Sequence, residues 1–212
     1  PGADDMLSRL PQVVWAADDL MRDPASLPTL LLAEEASQSM KVVFSGEGGD
    51  ESFAGYGRYR TGAVERMFKS IAFPGTGGFR SRGDLRGGAA RQLLGDKLMQ
   101  VGRPWRGDLV ESWQLYPAAW TPLQKMQALD LQHALPDNLL VKADRMLMAH
   151  GVEGRMPFVD RRVVSWGLAT ADALKCDRRE GKKILKSWAS GFMPAEHFAA
   201  KKRGFYVPVN DW

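Results

Sequence analysis

A short apolar run that passes directly into a glycine- and acid-rich loop is the feature that most constrains the fold. Residues 41–45 read KVVFS, and the following GEGGDE segment contains Glu47, Asp50 and Glu51. Residues 23–39, just upstream, combine helix-start signals with an apolar stripe, which predicts a helix. A helix followed by a short, continuously apolar strand is typical of a parallel sheet covered on both faces. We therefore predict an α/β fold here.

The rest of the chain has a different pattern. Residues 74–88 are rich in glycine and arginine without periodicity, which predicts a loop. Beyond it the apolar spacing is helical, so the C-terminal half is predicted to be mostly α-helical. The predicted helices are residues 123–135, ended by Pro136; a helix capped by Asp137 and stopped by Gly151; residues 160–169, capped by Asp160; and residues 182–190.

Composition excludes several classes of function. The 212 residues are 44% apolar and 25% charged, which is ordinary for a soluble globular domain. The net charge of +4 comes with short basic runs that lack interleaved aromatic residues, so no nucleic-acid partner is expected. The apolar runs are too short to span a bilayer, so no membrane partner is expected. Cys176 is the only cysteine, which indicates a reducing compartment and hence the cytoplasm.

The SGEGGDE loop is the first candidate for chemistry. A glycine-rich turn after a strand exposes backbone N–H groups at the carboxyl edge of the sheet, where α/β proteins bind ligands. The glycines suit a phosphate, but the carboxylates would repel it unless Mg²⁺ lies between them. Asp50 is then a Mg²⁺ ligand, and Glu47 a second acid or a general base. Equally open is a polar loop whose acids cap a helix beginning near Glu51.

The second candidate is the EGRMPF segment. Glu153 and Arg155 lie two residues apart in an extended stretch, so their side chains point the same way and could share a cavity. The alternative is a surface ion pair worth about 0–1 kcal/mol. Two lysine-containing segments, GKKILK and KKRGFYVP, would by themselves be interpreted as solvated basic surface. The three histidines have no metal-ligand spacing, and no Walker or dinucleotide-binding motif is present.

Four segments in this order resemble the synthetase domain of glutamine-dependent asparagine synthetases. They are VVFSGEGGDESFAGYGRY, LPDNLLVKADRMLMAHGVEGRMPFVD, GKKILK and KKRGFYVP. The resemblance covers most of residues 20–212 and is weakest over 74–114. It implies part of an adenine-nucleotide α-hydrolase-like (ATP-pyrophosphatase) domain. Residues 1–60 would end its α/β nucleotide-binding part, residues 61–122 would be a variable insertion, and residues 123–212 would be a helical part with catalytic motifs.

The resemblance also implies an activity and its residues. Such enzymes use ATP and Mg²⁺ to adenylate a carboxylate, normally the aspartate side chain, which ammonia from glutamine then attacks to give asparagine. Position by position, the motifs imply ATP or pyrophosphate contacts for Ser45, Gly46 and Lys182, and Mg²⁺ ligation by Asp50. They imply catalytic roles for Glu47, Lys202 and Glu153, with Glu47 as acid or base.

Two parts of the family pattern are not in this sequence. The Ser-Gly-Gly-x-Asp-Ser pyrophosphate loop and the N-terminal glutaminase domain are expected upstream, so this piece alone is expected to be inactive. A homodimer is a further expectation from the resemblance. Alternatives are an amidotransferase of polysaccharide or exosortase systems, and a β-lactam synthetase. The latter carries Tyr where Glu47 stands, so Glu47 favours transfer of free ammonia. A non-catalytic interaction module is the alternative from another class.

Overall fold

The structure is a computed structural model that describes residues 2–19, 23–79, 87–101, 105–194, 196–197 and 207. This part of the chain is mostly helical and contains one small parallel sheet. Its α-helices are α1 Ala3–Ser8, α2 Leu10–Ala17, α3 Ser26–Ser37, α4 Gly49–Ser52, α5 Ala63–Ala72, α6 Gly87–Val101, α7 Trp105–Leu115, α8 Pro122–Leu129, α9 Val141–Met148, α10 Arg161–Ala169, α11 Asp172–Lys175 and α12 Lys183–Ala189. The strands are β1 Val42–Phe44 and β2 Glu153–Arg155.

The two strands pair in parallel, and each follows a helix. Val42 lies opposite Glu153 and Phe44 opposite Arg155. Helix α3 precedes β1, helix α9 precedes β2, and these two helices pack directly on each other. Buried side chains of α2, α3 and α9 form the core beneath them: Val13, Ala17, Leu27, Leu30 and Met146. The helix–strand pattern expected around residues 23–45 is thus confirmed.

Gly151 ends α9, as predicted, and lets β2 begin. Its backbone is left-handed, with φ of 65°. The N–H of Gly151 donates to the carbonyl of Met148 at 3.0 Å, and that of Val152 donates to the carbonyl of Leu147 at 3.1 Å. This pair of bonds is the Schellman arrangement, which favours glycine at the left-handed position. The chain therefore passes from helix to strand within a few residues.

Pro136 does not end a helix, contrary to the prediction. Helix α8 continues into a π-helix, Asp130–Leu140, and then into α9. A π-helix shifts the hydrogen-bond pattern to i→i+5, and this wider turn accommodates the missing N–H of the proline. The residue before α9 is Leu140 rather than Asp137, and it makes no side-chain cap. The predicted Asp137 cap is therefore wrong as well.

The other predicted boundaries agree more closely. Helices α3, α10 and α12 lie within their predicted ranges, and the Asp160 carboxylate accepts a hydrogen bond from the N–H of Arg162 at 2.8 Å, as a cap should. Residues 74–79 are turns, as predicted for a loop, and residues 80–86 lie outside the described residues. Residues 87–88 belong to α6, so the predicted loop ends too late.

Strand β1 is not covered on both faces within the described part of the chain. Val42 is 45% exposed and Phe44 is 80% exposed. Both side chains point to the same face of the strand, since they are two residues apart. The prediction of a buried strand is wrong here, because the described residues supply one partner strand and a helical layer on one side only.

None of the helices in the ranges given above has both the length and the apolar character needed to cross a bilayer.

Leu30 tests the α3–α9 core. Its side chain is 1% exposed, whereas Leu32 in the same helix is 58% exposed. We expect Leu30→Ala to lower the free energy of unfolding by about 2–5 kcal/mol, because it leaves a cavity. Leu32→Ala, the matched control, should change it by less than about 0.5 kcal/mol. Urea unfolding measures both. Equal effects would contradict the assignment of Leu30 to the core.

Candidate active site

The candidate site begins where β1 ends. The N–H of Ser45 donates to the carbonyl of Arg155 at 2.9 Å, which extends the parallel ladder by one residue. Gly46 is exposed and Glu47 is half-buried. Ser45, Gly46 and Glu47 therefore lie together just beyond the carboxyl end of the sheet, the position at which open α/β sheets bind ligands.

Gly48 makes the turn from this loop into helix α4. Its φ is 86°, and a Cβ atom there would lie 2.5 Å from Cγ1 of Val159. Both observations require glycine. The loop is thereby packed against the segment that follows EGRMP, so two of the motifs are neighbours in space.

Asp50 is paired with Lys182. The Lys182 Nζ lies 3.1 Å from Oδ1 of Asp50, and both side chains are partly exposed. The backbone N–H of Lys182 also donates to the carbonyl of Phe53 at 3.1 Å. Two of the predicted site residues, far apart in sequence, thus meet at one place.

Two glycines make this close approach possible. A Cβ atom on Gly55 would lie 1.7 Å from Oδ1 of Asp50 and 2.6 Å from Cε of Lys182. A Cβ atom on Gly181 would lie 2.2 Å from the carbonyl oxygen of Ala54. Any side chain at either position would force the Asp50 and Lys182 segments apart.

Glu51, unlike its neighbour, is a buried structural acid. It is 1% exposed, and its Oε1 accepts a hydrogen bond from the Tyr56 hydroxyl at 2.5 Å. Burial raises the pKa of the Glu51 carboxyl, and the Tyr56 hydroxyl opposes that rise only in part. Helix α4 begins at this loop with Asp50 and Glu51 in its first turn, as the alternative expects, but neither side chain caps it. Glu51 bonds to Tyr56, Asp50 pairs with Lys182, and the N-cap residue of α4 is Gly48.

A second buried acid anchors the turn that follows. Asp130 is 1% exposed, accepts from the Tyr59 hydroxyl, and pairs with Arg58 at 2.7 Å. Burial raises the pKa of the Asp130 carboxyl, against the opposite effect of Arg58. The Arg58 guanidinium also lies 4.0 Å from the centre of the Tyr56 ring. The GYGRY segment is therefore held by a charged and aromatic cluster behind the site.

Glu153 and Arg155 form an ion pair with each other at 2.7 Å. Their side chains point the same way, as predicted, but Glu153 is 52% exposed and Arg155 is 62% exposed. Within the described part of the chain the pair lies on the surface, so the expected enclosed cavity is not found there. Lys202 lies outside the described residues.

The acidic side chains among the described residues suit a divalent cation held by one or two carboxylates. No group of three or more His, Cys, Asp or Glu side chains among the described residues is arranged to hold a metal ion. Mg²⁺ commonly takes one or two protein carboxylates and fills its remaining positions with phosphate oxygens and water. Asp50, partly exposed and fixed by Gly55 and Lys182, fits that mode.

Four residues that shape the site are not among the candidate residues that the sequence motifs indicate: Gly55, Gly181, Gln127 and Lys175. The two glycines allow close packing. Gln127 and Lys175 are both fully buried, and Gln127 donates two hydrogen bonds to the backbone of α4. One weak signal existed, since Lys175 stands next to Leu174 and Cys176 in a short apolar context where a lysine is unusual.

The fold and the site together define an α/β chain with a glycine- and acid-rich loop at the carboxyl end of a parallel sheet. The profile of the asparagine synthase family matches residues 2–212. The chain belongs to the asparagine synthase family of enzymes. No solved structure matches it significantly.

Curated relatives agree with this assignment. A putative asparagine synthetase [glutamine-hydrolyzing] of Mycobacterium tuberculosis (strain H37Rv) is 32% identical over 99% of this chain and 36% of its own length. Asparagine synthetase [glutamine-hydrolyzing] 1 of Bacillus subtilis is 29% identical over 99% of this chain and 37% of its own length. The amidase chyE of Penicillium rubens is 23% identical over 98% of this chain. The chain thus spans a little over a third of the relatives it matches.

Gly55→Ala tests the packing around Asp50. We expect the free energy of unfolding to fall by about 1–3 kcal/mol, because the added methyl group overlaps the Asp50 carboxylate. Gly107→Ala is the matched control. A Cβ atom there meets nothing within 4 Å, and in a helix the change should stabilise by up to about 1 kcal/mol. Urea unfolding of both variants is the measurement. A Gly55→Ala variant as stable as the wild type would contradict the geometry.

Glu51→Gln tests the raised pKa. The ordinary pKa is 4.5, and that of the folded state lies above it. Well below pH 4.5 both states hold the proton. As pH rises, the unfolded state ionises first while the folded state keeps its proton, so stability falls until the folded state also ionises. Glutamine retains an acceptor for Tyr56 and has no proton to lose, so the variant should lack this decline. Glu65→Gln, at an exposed ion pair, should follow the wild type in urea unfolding from pH 4 to 8. If the stability of Glu51→Gln depends on pH in the same way as that of the wild type, the assignment of a raised pKa to Glu51 is disproved.

Proposed function

We propose that this sequence is the part of an ATP-dependent amide-forming ligase that receives the phosphates of ATP with their Mg²⁺. The main observation in support is the ion pair between Asp50 and Lys182, whose Oδ1 and Nζ atoms are 3.1 Å apart. It lies beside a glycine-rich turn that follows a parallel strand. A carboxylate and an ammonium held side by side can bind the two components of magnesium–ATP, one for the cation and one for the phosphates. Membership of the asparagine synthase family supports this interpretation.

The fold proposed for the whole domain is of the adenine-nucleotide α-hydrolase type. Such a domain has a larger parallel sheet with helices on both faces. The exposed side chains of Val42 and Phe44 support this, since they offer an apolar face of the right kind for further sheet and helix. The relatives are much longer than this chain, which leaves room for the expected pyrophosphate loop and glutaminase domain.

The first step proposed is adenylation of a carboxylate, the aspartate side chain being the preferred substrate. One carboxylate oxygen attacks the α-phosphorus of ATP, and the bond from that phosphorus to pyrophosphate breaks. Like charges must be neutralised before they can meet, and cations placed where charge develops act strongly in a site that excludes water. Asp50 would hold Mg²⁺, and Lys182 would contact the phosphates. Ser45 and Gly46 would contact ATP, and Lys202 would stabilise the charge that develops.

The second step proposed is attack of ammonia, supplied from glutamine, on the acyl carbon. The carbon–nitrogen bond forms, AMP leaves with its oxygen, and the nitrogen must lose a proton. Glu47 is the residue proposed to take that proton, because it is a half-buried carboxylate in the same loop as Asp50. Glu153 is proposed to act near the acyl group. In the described residues it pairs with Arg155, from which substrate would have to separate it.

Glu47→Gln separates the two steps. The variant is made in the full-length natural protein that contains this sequence. We expect its aspartate-dependent exchange of pyrophosphate into ATP to persist. Amide formation from ammonia should fall by about 10²–10⁴-fold, because the amide side chain cannot accept the proton. Glu65→Gln, an exposed acid paired with Lys69, is the control and should leave both rates unchanged.

The outcomes distinguish the proposals. Amide formation at the wild-type rate in Glu47→Gln would remove Glu47 from the proton transfer. If the wild-type protein shows no pyrophosphate exchange with aspartate or with other carboxylates, the proposed ligase function is overturned and a non-catalytic module is favoured.

A further inference from the structure

Two buried polar side chains, Gln127 and Lys175, support helix α4, which carries Asp50. Neither residue belongs to a motif of the sequence. Gln127 of α8 is 0% exposed. Its Nε2 donates to the carbonyl oxygen of Glu51 at 2.6 Å and to that of Ser52 at 2.8 Å. Both hydrogens of the amide are therefore used on the last turn of α4.

Lys175 of α11 satisfies the other end of that amide. Its ammonium group is 0% exposed and donates to Oε1 of Gln127 at 2.8 Å. A carbonyl of Leu168 at 3.4 Å and the Asp172 carboxylate at 3.5 Å are its other neighbours. An ammonium can only donate, so the oxygen of the Gln127 amide must face Lys175 and its nitrogen must face α4.

A buried lysine in such a position is costly unless its donors are satisfied. It would be hard to explain by packing alone, because an apolar side chain would fill the same space without that cost. What the lysine adds is a donor to the amide oxygen, so that every polar atom of the Gln127 amide is satisfied while it bonds the two carbonyl groups of α4.

We propose that Gln127 and Lys175 are positioning residues for Asp50, so that they set the affinity of the site for magnesium–ATP without touching it. The expected effect on magnesium–ATP affinity rests on the proposed function. The positioning of α4 by Gln127 and Lys175 rests on the contacts above alone. The path runs from Lys175 through the Gln127 amide to the backbone of α4, and so to the Asp50 carboxylate that meets Lys182.

Three variants test the proposal in the longest natural chain that carries this sequence. Gln127→Met removes the two donated hydrogen bonds and keeps the side-chain length. Gln127→Glu keeps an acceptor for Lys175 but has no donor for α4. It replaces Gln127→Met in the test if the methionine variant folds poorly. Lys175→Met removes the donor to the Gln127 amide oxygen and leaves that buried oxygen unsatisfied. Lys142→Met is the matched control, since Lys142 is also a buried lysine, paired with Asp23 at 3.0 Å, and has no contact with the Gln127 amide.

We expect the Gln127 and Lys175 variants to raise the KM for magnesium–ATP in pyrophosphate exchange by at least about tenfold, as loss of buried hydrogen bonds would. The same variants should need more free Mg²⁺ for half-saturation, with a smaller change in kcat. The double variant Gln127→Met with Lys175→Met should resemble Gln127→Met, because Lys175 acts through Gln127. Lys142→Met should lower the Tm by a similar amount and leave KM within twofold of the wild type.

A second measurement does not depend on activity. Hydrogen exchange at the amides of Ser52, Phe53 and Gly55, which bond to the backbone of α4 or its flanking residues, should accelerate in Gln127→Met but not in Lys142→Met. Unchanged exchange there, or an unchanged KM in folded Gln127 variants of an active enzyme, would overturn the inference. An inactive wild-type chain with accelerated exchange in Gln127→Met would overturn the proposed function and leave the positioning of α4 supported.

Discussion

A helix of four residues cannot satisfy its own last carbonyl groups, and the candidate site depends on how the rest of the chain does so. The carbonyl of Asp50 accepts from the N–H of Gly55 at 2.8 Å. Those of Glu51 and Ser52 accept from Gln127. The carbonyl of Phe53, just after the helix, accepts from the N–H of Lys182. Two segments distant in sequence therefore converge on α4, and the same bonds that complete the helix bring Lys182 to Asp50.

The acidic residues around this helix differ in role because their surroundings differ. Glu51 and Asp130 are buried, each bonded to a tyrosine hydroxyl, and burial raises the pKa of each carboxyl. They hold the GYGRY turn in place. Asp50 and Glu47 remain partly accessible, so they are the acids that a ligand can reach. Adjacent residues of like charge thus divide into buried and partly accessible groups, and the buried ones have raised pKa values.

The sequence predicted best what local chemistry controls. Helix α3, the Asp160 cap and the Gly151 stop follow from short-range patterns, and the structure has all three. Pro136 does not end a helix, contrary to its local pattern, because a π-helical turn can accommodate a proline that would end an α-helix. The exposed face of β1 was also missed, since an apolar strand indicates burial without saying which residues cover it. Glu153 and Arg155 do point together, but alternation along a strand cannot tell a cavity from a surface.

By itself, the sequence determined a helix–strand unit followed by an acidic glycine loop, the helical character of the second half, and a set of motifs that resemble one family. These depend on neighbours in the chain. Only the tertiary structure decided that Lys182 would meet Asp50, that Gly55 and Gly181 would permit it, and that a buried glutamine and lysine would orient α4. Those contacts join residues far apart in the chain, and they form only when the packing of α8, α10 and α11 brings them within hydrogen-bond distance.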